Sequence, residues 1–178
     1  MTAETAEALL VEEPVLSLAD SRVTAAIALI WREARLLDRK EYEEWDGLWA
    51  PEGRYVIPID WATEDFESAL NLVYDDERMR RMRIERLVSG YSISAIAAAR
   101  TVRTVSRFVV MRADSESVEL SSAQVLVGHR REQTFVLGAD LTHRVVFGGV
   151  DGSEPRIALK VVRLVDSEES VSATGFLL

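Results

Sequence analysis

The chain has 178 residues, of which 30 are acidic and 21 basic, for a formal charge of -9, with 48% hydrophobic and 29% charged content. That balance suits one folded domain and would repel rather than neutralise a phosphate backbone. It holds no cysteine and two histidines, His129 and His143, which excludes disulfides, cysteine nucleophiles, thiolate zinc sites and iron–sulfur ligation by this chain.

The first sixteen residues, MTAETAEALLVEEPVL, are acidic and Ala-rich and are interrupted by Pro14, so 1–16 is expected as a flexible arm and 17–178 as a single domain. Glu4, Glu7, Glu12 and Glu13 stand where a signal peptide needs positive charge, and no apolar run approaches the roughly 18 residues that span a bilayer. The expected location is cytoplasmic, with no nucleic-acid or membrane partner.

Ser17 and Asp20 offer a cap for a first helix, along which Val23, Ile27, Ile30, Ala34 and Leu37 step by three and four to form one apolar face. Asp38 stands three residues before Glu41, the spacing of an acidic capping box that would open a second helix. Tyr42, Trp45, Leu48 and Trp49 are its expected buried face. Pro51 and Gly53 should stop it before a strand at Arg54-Tyr55-Val56-Ile57-Pro58. Ile59 to Leu70 loses period, carries Trp61 and Phe66, and reads as a long surface loop.

Leu72 to Tyr74 fits a short strand. Asp75, Asp76 and Glu77 then precede Arg78, Arg80, Arg81, Arg83 and Arg86, an order that matches the dipole of a third helix. The arginines fit either a solvated face paired with its own acids or a docking surface. Ser92 to Ala99 carries no clear signature.

After Arg100 the period changes to two. Thr101 to Arg112, Val118 to His129, Glu132 to Phe147 and Arg156 to Val165 are four long strand-like runs separated by turn clusters, among them Ala113 to Glu116 and Val150 to Ser153. Short connections imply antiparallel neighbours, and strands of this length must twist and curl, with Gly128 and Gly138 as candidate bulge or bend points. In the third run Phe135, Leu137, Ala139, Leu141, His143, Val145 and Phe147 share one face. Helices first and a curved sheet last give an α+β fold. The closing Gly175-Phe176-Leu177-Leu178 is too apolar to leave in water.

The segment Trp31 to Asp38 (WREARLLD), the Tyr42…Trp45 pair, the Arg54-Tyr55…Pro58 strand, the Tyr74-Asp75-Asp76-Glu77-Arg78 helix start and the Phe-Leu-rich tail occur in this order. Together, over roughly Val23 to Leu178, they resemble the small (beta) subunit of bacterial aromatic-ring-hydroxylating dioxygenases. The resemblance implies a cone-shaped, strongly curved antiparallel sheet wrapped around N-terminal helices, as in nuclear transport factor 2 and other cystatin-like folds. It also implies a structural role beside an alpha subunit that carries a Rieske [2Fe–2S] cluster and a mononuclear non-haem iron, in an α3β3 hexamer with beta–beta contacts in a trimeric core. On this reading the chain carries no catalytic residue, no cofactor and no metal. The lack of cysteine fits that division, since a Rieske centre needs two.

A stand-alone isomerase, dehydratase or small-hydrophobic-ligand binder of the same cone fold is the alternative. Its candidate residues are His143, on the apolar face between Leu141 and Val145, and Tyr55, each of which is equally explained as a core residue whose polar atom finds a partner. Asp38 is better explained as a cap than as a base. Asp140 falls on the face opposite His143 and cannot pair with it in a regular strand.

Overall fold

The computed structural model of the protein describes residues 17–89, 99–148, 154–167 and 176–178. The expected arm 1–16, nearly all of the Ser92 to Ala99 stretch, the Val150 to Ser153 turn cluster and Gly175 lie outside the described residues.

The helix α1 (Ser21–Arg39) opens on Asp20, whose side chain accepts a hydrogen bond from Arg22 N, and closes at Lys40 in the left-handed region with φ 60. Lys40 N–H returns to the carbonyls of Leu36 and Leu37, so the helix stops on a single residue. The predicted face is buried and includes Val23, Ile27, Ile30, Ala34 and Leu37, with Glu33 among them.

The capping-box expectation at Asp38 and Glu41 is corrected here. Asp38 lies inside the last turn of α1, and α2 (Tyr42–Asp46) starts behind Glu41 without any side-chain cap bond. The Asp38 carboxylate is instead taken by distant donors: Thr101 Oγ1 at 2.8 Å, Arg103 N at 2.9 Å and Arg103 Nε at 2.9 Å. A guanidinium and a backbone amide together outweigh one local amide as partners for a carboxylate.

Trp45 is fully buried and meets Trp49 and Tyr55 edge-on, with ring centroids 5.3 Å and 5.8 Å away. The second helix is shorter than expected. It ends at Asp46, and β1 (Trp49–Pro58) already runs through Pro51 and Gly53. The pairing of β1 with β6 skips from Trp49 to Arg54, so Pro51 sits where no ladder bond is required of it.

After the Ile59 to Leu70 loop come β2 (Asn71–Asp75), α3 (Glu77–Val88), β3 (Arg100–Ala113), β4 (Ser117–Arg130), β5 (Gln133–Gly148) and β6 (Glu154–Leu164). Among the described residues six strands order β2-β1-β6-β5-β4-β3 in one sheet. All neighbours are antiparallel except β1 and β6, a parallel pair that joins the N-terminal strands to the four-stranded meander. The sheet wraps α1, which touches β3, β4 and β6.

Gly128 and Gly138 are not bulges: β4 and β5 pair without a shift, and the irregularities of this half of the sheet lie in β3 and between Arg144 and Val145. Gly128 serves close packing, because a Cβ there would stand 2.1 Å from Phe135 Cζ.

The α3 arginines divide between two environments. Arg80 is buried, bonds Asp46 Oδ1 and Gly53 O at 3.3 and 2.7 Å, and lies over the Trp49 ring. Arg83 grips the buried Asp75 with two bonds of 2.6 and 3.0 Å, while Arg78 and Arg81 remain exposed. The Trp61–Phe66 loop is clamped by Arg163, which donates to the Trp61 and Thr63 carbonyls and to Glu64 and covers the Phe66 ring.

Candidate functional site

Tyr55, Lys160 and His143 are successive cross-strand partners on β1, β6 and β5, and all three side chains are buried. They form one polar row across the inner face of the sheet. Glu33 of α1 comes down onto it. Its Oε1 accepts from Lys160 Nζ at 2.9 Å and from Trp45 Nε1 at 3.0 Å, and its Oε2 lies 3.1 Å from His143 Nε2. Tyr55 completes the row by bonding the main chain of Leu178, donating to its carbonyl at 3.0 Å and accepting from its N–H at 3.1 Å. Lys160 Nζ reaches the same carbonyl at 2.9 Å.

Burial alone would raise the Glu33 carboxyl, but the Lys160 charge and the His143 hydrogen bond outweigh it and hold the group well below the ordinary carboxylate range. Burial pushes the His143 imidazole down despite Glu33, so the ring is neutral at pH 7. Lys160 is likewise lowered by burial, and Tyr55 is raised by it. A neutral imidazole facing a carboxylate must carry its proton on Nε2, which leaves Nδ1 as a bare acceptor, and Nδ1 has no hydrogen-bond partner among the described residues.

The two sequence candidates are therefore brought together, His143 and Tyr55 standing on either side of Lys160. Asp140 lies on the opposite face as expected, ion-paired with Arg107. His129 is exposed beside Thr134. Among the described residues no group of three or more His, Asp or Glu side chains converges as a metal site.

Two members of the cluster were missed by sequence reasoning, and each carried a readable signal. Glu33 is three residues after Ile30 and four before Leu37, on the buried stripe; Lys160 alternates with Val162 and Leu164, both buried.

An orienting carboxylate on a neutral imidazole is the geometry of a general base, but a base needs room for a substrate. The cleft at this end of the cone has a volume of about 70 Å³ and is lined by Tyr55, Ile57, Val73, Arg83, Leu87 and the Phe176–Leu178 segment, with neither His143 nor Glu33 on its wall. Phe176, Leu177 and Leu178 are buried, and Phe176 stacks on Phe135 at 5.9 Å.

The family described as the ring hydroxylating beta subunit matches residues 32–168. The chain belongs to this beta-subunit family. It is 31% identical over 110 residues to the benzene 1,2-dioxygenase subunit beta of Pseudomonas putida, covering 57% of this chain and 59% of that protein. It is 26% identical over 141 residues to the N,N-dimethyl phenylurea N-demethylase subunit beta of a Sphingobium species, covering 76% and 79%. The chain thus spans less than two thirds of the benzene dioxygenase relative.

In three dimensions the beta subunit of benzoate 1,2-dioxygenase from Burkholderia mallei superposes with a TM-score of 0.69 at 18% identity, over 89% of this chain and 98% of that one. A naphthalene 1,2-dioxygenase structure gives 0.67 at 19% identity over 86% and 82%. These solved structures carry the same fold, the curved sheet around N-terminal helices. No helix among the described residues is long and apolar enough to cross a membrane.

Proposed function

We propose that this chain is the structural beta subunit of an aromatic-ring-hydroxylating dioxygenase. It would hold alpha subunits, each with a Rieske [2Fe–2S] cluster and a mononuclear non-haem iron, in a cytoplasmic α3β3 hexamer built on a beta trimer. The assembled enzyme adds both atoms of O₂ to an aromatic ring with electrons from NAD(P)H. The family match along residues 32–168 carries this reading.

The chemistry of the chain supports it. With no cysteine it cannot supply a Rieske ligand set, so that cluster falls to the partner. Glu33 is engaged by Lys160, His143 and Trp45, and the Tyr55 hydroxyl by Leu178. The pocket-enzyme alternative would need His143 to face a cavity, and the cleft beside Tyr55 does not include it.

The outer face of the sheet offers a surface for association. Val102, Val127 and Val136 are consecutive cross-strand partners on β3, β4 and β5 and are 69%, 44% and 63% exposed. Val125 adjoins them, half exposed. A contiguous row of β-branched side chains in water is the kind of patch that another subunit covers.

The non-catalytic role is tested in the assembled enzyme with His143→Gln, which keeps a donor toward Glu33, and with Tyr55→Phe. Turnover is expected to stay within about ten-fold of the parent. A loss above a hundred-fold in assemblies of unchanged mass would make the polar row catalytic and refute the proposal.

A further inference from the structure

The Phe176–Leu178 segment is held as a ligand is held. Its side chains are buried and its main chain meets converging donors: Lys160 Nζ and Tyr55 OH on the Leu178 carbonyl, and Arg103 Nη2 on the Leu177 carbonyl at 3.1 Å. Tyr55 also accepts the Leu178 N–H, so one hydroxyl reads both the donor and the acceptor of a single residue. These contacts depend on main-chain groups, while Phe176 stacks on Phe135 and the cleft beside the segment is lined by Ile57, Val73 and Leu87 together with Tyr55 and Arg83. Main-chain hydrogen bonds combined with apolar side-chain pockets are how proteins recognise short extended peptides.

The site is built from second partners outward. Lys160 is anchored by Glu33 and Arg103 by Asp38, so each buried cation has a carboxylate partner besides the segment. Gly128 leaves space for the Phe135 ring on which Phe176 stacks. The site also holds more donor capacity than the segment uses, because Arg103 Nη1 is buried without a hydrogen-bond partner among the described residues. A cleft of about 70 Å³ borders the segment.

We propose that the open end of the cone is a recognition site for a short apolar peptide, occupied in cis by Phe176–Leu178, and that this segment is displaceable while the sheet stays folded. The inference is independent of the scaffold role. It concerns what the cone binds rather than which subunit it assembles with.

Two measurements test it. In the intact chain, hydrogen exchange should show the Leu178 N–H opening at least about ten-fold faster than the β5 and β6 amides around Leu141 and Val162, since a displaceable segment opens without global unfolding. Protection equal to the core would refute displacement.

In the full chain carrying Phe176→Ser and Leu178→Ser, the cis segment is weakened, and acetyl-Gly-Phe-Leu-Leu is added in amide and free-acid forms. Binding of either form should raise Tm saturably by roughly 5–10 °C at a hundred-fold excess over Kd, and adding Lys160→Met together with Glu33→Met, which removes the donor without stranding the carboxylate, should abolish the rise. If the double variant does not fold alone, recovery of folded protein on adding the peptide is the same readout. The parent chain should show no rise, because its own segment competes at an effective concentration of order mM. No rise and no recovery with either peptide, or a rise that survives Lys160→Met together with Glu33→Met, would overturn the site.

Discussion

Replacing Glu33 by Gln preserves the side chain's shape and removes its charge, which isolates what the buried carboxylate does. Lys160 would then stand 1% exposed with an uncompensated ammonium. It must either keep the charge in a low-dielectric interior or give up its proton. Deprotonating an ordinary lysine at pH 7 costs about 5 kcal/mol, which caps the penalty, and measured losses from breaking one side of a buried pair run at about 3–5 kcal/mol. Against a total stability of about 5–15 kcal/mol this is a large fraction.

With a urea m-value of about 2 kcal/mol/M, the unfolding midpoint of Glu33→Gln should fall by roughly 2 M. The double variant Glu33→Met with Lys160→Met should recover at least about half of the loss, giving a coupling of about 1.5 kcal/mol or more. A loss under about 1 kcal/mol for Glu33→Gln, or strictly additive effects in the double variant, would refute the account of the cluster as a mutually dependent buried pair.

Other outcomes follow from the same contacts. Because the folded state lowers the His143 pKa, the unfolded state binds more protons below pH 6.5, so stability should fall as pH drops through that value by up to about 1.4 kcal/mol per unit. Glu33 adds a second loss below pH 4.5, where its unfolded carboxyl protonates. Chemical denaturation of His143→Gln between pH 7.5 and 5.5 should show the shallower slope, and an unchanged slope would contradict the assignment. Asp38→Ala should cost about 2–4 kcal/mol, since it strands the buried Arg103 guanidinium; an unfolding midpoint like that of the parent would restore the capping interpretation. Trp45→Ala should cost about 3–5 kcal/mol through the cavity it leaves and the lost bond to Glu33. Val127→Lys on the exposed row should leave the unfolding midpoint within about 0.5 kcal/mol but weaken subunit association in sedimentation; unchanged association would remove that face from the interface.

The elements most legible in the sequence were those whose local pattern and tertiary fate agree. The α1 stripe and the alternation of β5 are set by burial of one face, so their period announces both the element and its orientation. The apolar tail was readable as buried for the same reason.

Where a long-range partner overrides a local rule, the reading failed. Asp38 has a cap's spacing, but its oxygens go to Thr101 and Arg103, more than sixty positions away in the chain. Trp49 fits the face of α2 by count, yet it opens β1, because the parallel partner β6 lies about a hundred residues on and has no local signature. The candidate site was half legible. His143 and Tyr55 stood out as polar groups on apolar faces, whereas the charges that explain them, Glu33 and Lys160, look like ordinary surface residues until the stripe each occupies is traced.

The central claim is that this chain organises a partner that holds the iron. Native mass spectrometry of the chain expressed with and without a Rieske-type large subunit, with iron measured in the same samples, tests it most directly. The account predicts a mixed assembly of three large and three small subunits in which iron appears only when the large subunit is present. A lone oligomer that ignores the partner, or iron bound to this chain by itself, would contradict it.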